Sequence, residues 1–275
     1  MTVRSVVGAW VTAIALVAGA FLVILTAAPK RSNGLASPTV ALGSSLTAYA
    51  IPVRGEGAAS LLGDRRAHRR IAISRISENQ LLDLLDEALD GRPKLVLVEA
   101  NPLLYSFADS RGERPCDGWV QAVRARLARL HAYPVGAARR LAGLATSDGI
   151  GELQLDLDRA QSIDPATIRR LYPLVSHDPC DIGRFAALVH RAEQQRTRVV
   201  LLLLPRSPAA IAEVGAGVDM AIRRRTSALA ARLGVAVVPL TRPWPNAEFM
   251  DQAHLNRAGR EHMLADLRRW WRNAS

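Results

Sequence analysis

Val40-Ala41-Leu42-Gly43-Ser44-Ser45-Leu46-Thr47 is an apolar run that stops abruptly in a small turn carrying two hydroxyls. Thr39 to Leu42 has the β-branched, apolar character of a buried strand. A turn that follows such a strand lies at its carboxyl end, which is where open α/β sheets place their ligands. A serine there does chemistry only if a base can take its proton. The candidate base stands near the other end of the chain, in Asp251-Gln252-Ala253-His254. The expectation is that folding brings these two stretches together.

Working outward, the chain alternates strand and helix signals. Ile71-Ala72-Ile73 is a second strand. Ser77 and Gln80 form a capping box ahead of Leu81, Leu82, Leu84, Leu85 and Leu89 at helical spacing, and Gly91 and Pro93 end that helix. Leu95-Val96-Leu97-Val98 is a strand buried on both faces, ending in Glu99-Ala100-Asn101-Pro102. Later come a helix over Phe185 to Gln195, a strand over Val199 to Leu204, a helix over Val218 to Arg232 and a last strand at Val235 to Pro239. Asn256 caps a final helix whose apolar face holds Met263, Leu264, Leu267 and Trp271. This alternation implies parallel strands joined by right-handed crossovers, hence a three-layer α/β domain of about five strands. Residues 105–182 interrupt it and are expected to form a helical insertion. The domain itself is expected to span 38–275.

Residues 1–28 have a different character. Val6 to Ala28 carries no charge and is long enough to cross a hydrocarbon core as a helix, which takes about 20 residues. It exceeds the apolar core of a cleavable signal, so an uncleaved N-terminal anchor is expected, with the short tail inside and the globular part outside. Residues 29–37, with Pro29, Gly34 and Ser37, are a linker. In an oxidising envelope, Cys116 and Cys180 could pair. Lys and Arg together number 36 against 25 for Asp and Glu, giving a net charge of +11. That balance suits polyanions. Few aromatics interleave with the arginine clusters at 65–70, 124–129 and 223–225, which disfavours a nucleic-acid stacking platform and leaves solvated helix faces as their plain reading. His177-Asp178-Pro179-Cys180-Asp181 lacks zinc-site spacing, so no metal is expected, and nothing calls for a cofactor. Trp244 is expected in the core, with sugar stacking as the alternative.

Asp251 and His254 are three residues apart, so one tight turn can present both on one side. Asp251 would then orient His254, and His254 would take the proton of Ser45. Attack by Ser45 creates an oxyanion that needs donors. The candidates are the Ser45 backbone N–H, an N–H near Arg75 to Ser77, and the Asn101 side-chain amide.

Gly43-Ser44-Ser45-Leu46, Asn101 at the end of a mid-chain strand, and Asp251-x-x-His254 near the C-terminus, in that order, resemble the first, third and fifth blocks of the SGNH/GDSL hydrolase superfamily. Ser44 stands where the family has Asp. Ser74-Arg75-Ile76-Ser77 occupies the place of its second-block glycine, and the third block keeps only Asn101. With the N-terminal apolar run, the chain is similar to the envelope branch that includes the D-alanyl-lipoteichoic acid biosynthesis D protein and alginate O-acetylation proteins. The resemblance implies a flavodoxin-like fold, a Ser-His-Asp triad and ester chemistry on a cell-envelope glycan beside a membrane-bound O-acyltransferase. It also implies a single-pass protein of the bacterial inner membrane, with its domain in the periplasm or outside the cell. The competing expectation is a non-catalytic glycan-binding or assembly subunit that keeps the fold.

Overall fold

The computed structural model describes Trp10 and residues 37–57, 65–74, 76–107, 155–162, 164–171, 174–176, 178–238 and 244–274. Trp10 falls in a unit of its own spanning Met1–Arg31, and all the rest in a unit spanning Ser32–Ser275. Among the described residues no helix is long and apolar enough to cross a membrane, and the expected anchor, Trp10 apart, lies outside them.

Among the described residues five strands run parallel: β1 (Thr39–Gly43), β3 (Arg65–Ala72), β4 (Leu95–Glu99), β7 (Arg198–Leu202) and β8 (Ala236–Val238). Their spatial order is β3-β1-β4-β7-β8. Counted along the chain this is 2-1-3-4-5, the flavodoxin-like arrangement, whose order reverses between β1 and β4. A short strand β2 (Arg54–Gly57) pairs antiparallel with β3 at the sheet edge.

All five residues of β1 and of β4 are buried, as their continuous apolar runs require of strands covered on both faces. Alternation sorts them into two cores. Val40, Leu42, Val96, Val98, Val199 and Leu201 face one cluster, which also takes the leucines of α2 (Glu78–Asp90) and residues of α5 (Ile182–Gln194) and of α7 (Ala216–Leu233), the helix that follows the short α6 (Pro208–Val214). Ala41, Leu95, Leu97, Val200 and Leu202 face the other, with α1 (Ser45–Ala50), Phe249 and Leu255, and Met263 and Leu267 of α8 (Arg257–Ala274). Burying each Leu or Val of these strands contributes about 1.5–3 kcal/mol, which the sheet collects on both sides. The Ser77–Gln80 capping box is present at the start of α2, and Asn256 Oδ1 accepts from Gly259 N at 3.0 Å at the start of α8.

Two expectations need correction. The second strand is not Ile71 to Ile73 but the longer Arg65–Ala72, so the arginines at 65–70 lie on a strand and not on a helix face. Arg70 is fully buried. Its side chain donates to the Ala48 and Ile51 carbonyls at the end of α1, the latter at 2.6 Å, which is why a cation is tolerated inside the sheet layer. The insertion is not purely helical either. Beside the short α3 (Asn101–Leu104) its ends form an antiparallel pair, β5 (Tyr105–Phe107) with β6 (Leu174–Ser176), and α4 (Pro165–Leu171) lies between. A three-residue strand is too short to show an alternation signal in sequence. The arginines at 124–129 lie outside the described residues.

Candidate active site

Ser44 and Ser45 leave β1 at its carboxyl end and start α1, with Ser44 as N-cap accepting from Leu46 N. Ser45 is therefore the first helical residue, projecting from the switch point of the sheet. Tyr49, one turn on, shares its face.

Asp251 and His254 sit in a closed loop between β8 and α8. Phe249 and Leu255 form a bridge across its neck, Met250 N donates to His254 O at 2.9 Å, and Asn256 N donates to Glu248 O at 3.0 Å. Ser207 N, on the loop leaving β7, donates to Gln252 O at 3.1 Å and holds the loop over the sheet edge. Asp251 Oδ1 accepts from Ala253 N at 2.9 Å and His254 N at 2.8 Å, so the carboxylate shapes its own turn. Its other oxygen lies 2.7 Å from His254 Nδ1. An ionised carboxylate only accepts, so Nδ1 carries the hydrogen and Nε2 keeps a lone pair. Nε2 stands 3.0 Å from Ser45 Oγ, across 209 residues of sequence. The structure thus brings together Ser45, His254 and Asp251 in hydrogen-bonded sequence.

Burial pushes the Asp251 carboxyl up, but the His254 ring bond, the ring's charge and the two backbone N–H groups outweigh it and hold the pKa below the ordinary aspartate value. A carboxyl whose pKa is lowered by folding stabilises the fold above its unfolded pKa of about 4, and that contribution is lost as pH falls through the folded value. Asp251→Asn should therefore show its largest Tm deficit near neutral pH, shrinking below about pH 4. Thermal melts of both proteins from pH 3 to 7 check this. A deficit that stays constant across the series would contradict it. The Tyr49 ring packs on His254, with centroids 4.6 Å apart. Burial, and then the charge of Asp251, raise the Tyr49 pKa, so it meets the histidine as a neutral ring at physiological pH.

Asn101 begins the turn after β4. Its Oδ1 accepts from Arg206 at 3.3 Å, and its Nδ2 lies 3.5 Å from Glu99 Oε1. A donor-only guanidinium on one side and a carboxyl on the other decide which way the amide faces. Ser77 does not join the site as a donor: its N–H goes to Gln80 Oε1 at 3.0 Å and its Oγ accepts from Gln80 N, because the capping box uses both. Arg75 lies outside the described residues. Cys180 is disulfide-bonded, while Cys116 and His177 are outside the described residues. Asp181 caps α5 through Arg184 N, and the described residues contain no cluster suited to a metal. Trp244 is 5% exposed and meets Phe249 edge-on, which places it in the core.

Two participants escaped the sequence reading, Arg206 and Arg260; Glu99, at the end of β4, reads from sequence as either a partly buried site carboxylate or an arginine's salt-bridge partner. Glu99 is fully buried, and its bonds go to Ser44, Thr47 and Asn101, not to an arginine. Arg206, 9% exposed, reaches Asn101 and lies 3.8 Å from Asp219. Arg260 donates to Tyr49 O and Ala48 O, each at 2.9 Å, so with Arg70 it anchors the end of the helix that carries Ser45. The signal for Arg260 was present: it stands in the apolar stripe of α8 with Met263 and Leu267, where a charge requires a partner.

No protein-family model and no curated protein matches the chain. Among solved structures, a GDSL-like lipase from Bacteroides thetaiotaomicron aligns with a TM-score of 0.42 at 11% identity, over 94% of this chain and 98% of its own. A Bacteroides fragilis protein assigned as an acylhydrolase aligns with a TM-score of 0.41 at 13% identity, over 86% of each chain. Identity this low leaves the site's own geometry as the ground for a functional reading.

Proposed function

We propose that the chain is a GDSL-type serine esterase or O-acyltransferase. The observation that carries this is the unbroken line Ser45 Oγ, His254 Nε2, His254 Nδ1, Asp251 Oδ2, with gaps of 3.0 and 2.7 Å. Ser45 Oγ attacks the ester carbonyl carbon as its proton passes to His254 Nε2. The oxyanion formed is held by the Ser45 backbone N–H and Asn101 Nδ2. Collapse breaks the carbonyl carbon to leaving-oxygen bond, and that oxygen takes the proton back from His254. Water, or a sugar hydroxyl in the transfer reaction, then gives up its proton to His254 as its oxygen bonds to the acyl carbon; the bond from that carbon to Ser45 Oγ breaks and His254 returns the proton to Ser45 Oγ. Asp251 keeps the ring in the correct tautomer throughout.

The substrate in this reading is an acyl ester, acetyl above all, of a cell-envelope or exported glycan, and the positive net charge of +11 suits an anionic one. Val6 to Ala28 anchors the chain in the inner membrane, with the domain on the outer side beside a membrane-bound O-acyltransferase. A fluorophosphonate probe and p-nitrophenyl acetate test the chemistry. Stoichiometric labelling on Ser45, with turnover of the ester, is expected. A folded wild-type protein that neither labels nor turns over would overturn the reading and favour a non-catalytic glycan-binding subunit. A C-terminal reporter fusion active only in the cytoplasm would overturn the location.

A further inference from the structure

Glu99 is a fully buried carboxyl that touches both sides of the switch point. On the nucleophile side, Ser44 N donates to Oε2 at 2.7 Å, Ser44 Oγ lies 2.8 and 2.9 Å from the two oxygens, and Thr47 Oγ1 donates to Oε2 at 2.7 Å. Ser44 Oγ already accepts from Leu46 N at 3.1 Å, so its own hydrogen is free to point at Glu99. On the other side lies Asn101 Nδ2, at 3.5 Å from Oε1. Every partner of this carboxyl is a donor, and the partners belong to the two turns that present Ser45 and Asn101.

We infer that Glu99 is the positioning residue that sets the proposed nucleophile and the proposed oxyanion donor in register, and that the site needs one carboxylate at this point whichever wall supplies it. The inference rests on the reading of Ser45 as nucleophile. A buried carboxylate with several charge-assisted bonds is stiffer than the neutral pairs it replaces. Losing it lets Ser45 and Asn101 drift independently, and displacements of an ångström are costly in a reacting site. Because Ser44 Oγ is within 2.9 Å of both Glu99 oxygens, an aspartate at 44 would carry its own carboxylate into the same small volume. It would still cap Leu46 N, since Asp is as good an N-cap as Ser. With Glu99 present, two carboxylates would then compete for one set of donors.

The test is a four-protein cycle of wild type, Glu99→Ala, Ser44→Asp and the double variant Ser44→Asp/Glu99→Ala. Each is assayed for kcat and KM on p-nitrophenyl acetate and for its rate of fluorophosphonate labelling, at a temperature where thermal melts show it folded. Each single change should lower kcat by about 10²-fold, the size of losing one oxyanion donor, with KM within about threefold. The double variant should recover at least about tenfold over Glu99→Ala, so that Ser44→Asp harms one background and helps the other. A purely structural glutamate would lower Tm and leave the kcat of the folded protein in place. Labelling of wild type with unchanged kcat in Glu99→Ala, or with no recovery in the double variant, overturns this inference alone. Absence of labelling in folded wild type overturns the esterase reading as well. Should Glu99→Ala fail to fold, Thr47→Val decides, because it keeps the carboxyl and removes one donor. A drop in kcat of about tenfold supports the clamp, and an unchanged kcat overturns it.

Discussion

Ser45→Ala should abolish turnover of p-nitrophenyl acetate, lowering kcat by about 10⁴-fold or more, and His254→Ala should do nearly the same. The double variant should be no worse than either single one. Nucleophile and base act as one unit, because a serine hydroxyl without its proton acceptor attacks no faster than water. Residual activity would come from Asn101 and the Ser45 N–H, which still hold an oxyanion formed by direct attack of water. KM should move little, since neither side chain has to contribute ground-state binding. Steady-state kinetics with circular dichroism as a folding control measure this. A kcat for Ser45→Ala within about tenfold of wild type would place the nucleophile elsewhere, with Ser44 as the first position to examine.

The second large effect is on stability. A Cβ added to Gly43 would sit 2.1 Å from Thr47 Oγ1, 2.4 Å from Glu99 Oε2 and 2.8 Å from Glu99 Cβ. The last contact is the severe one, because Glu99 Cβ is fixed to β4 in the middle of the sheet and cannot swing away. Gly43→Ala therefore has to part β1 from β4 or expel the carboxyl from its donors. Overpacking of this kind costs about 1–3 kcal/mol. Stranding bonds to a buried carboxylate costs about 1.5–3 kcal/mol, so either route loses about 1–3 kcal/mol. Urea denaturation should show that loss as a lower midpoint with a similar slope. Activity should fall too, because the displaced groups are those that seat Ser44 and Ser45. A midpoint unchanged within error would mean that the close approach at Gly43 relaxes at no cost.

Much of the architecture was legible because the signals are local and strong. Leu95 to Val98 and Val199 to Leu202 are apolar without a break, so each had to be a strand covered on both sides. Ser77 with Gln80, and Asn256 ahead of the last helix, are caps whose chemistry depends on a few consecutive residues. The basic stretch from Arg65 to Arg70 misled for the opposite reason. Its charges hide a strand whose Arg70 is buried only because the carbonyl end of α1 lies against it, and that contact is tertiary. The three-residue strands at Tyr105 and Leu174 carry too few side chains to show a period, and pair only because the fold brings them together.

The sequence by itself determined that β1 and β4 end in turns bearing Ser45 and Asn101, and that Asp251 and His254 can share one turn. Those statements follow from hydrophobic period and from spacing of three residues, which the backbone converts directly into geometry. Only the tertiary structure decided that His254 meets Ser45 at 3.0 Å and that Glu99 binds both serine turn and asparagine turn. Each depends on which strands become neighbours at the switch point. Sheet order is set by the summed burial of many residues on two faces, a quantity that no short stretch of sequence contains.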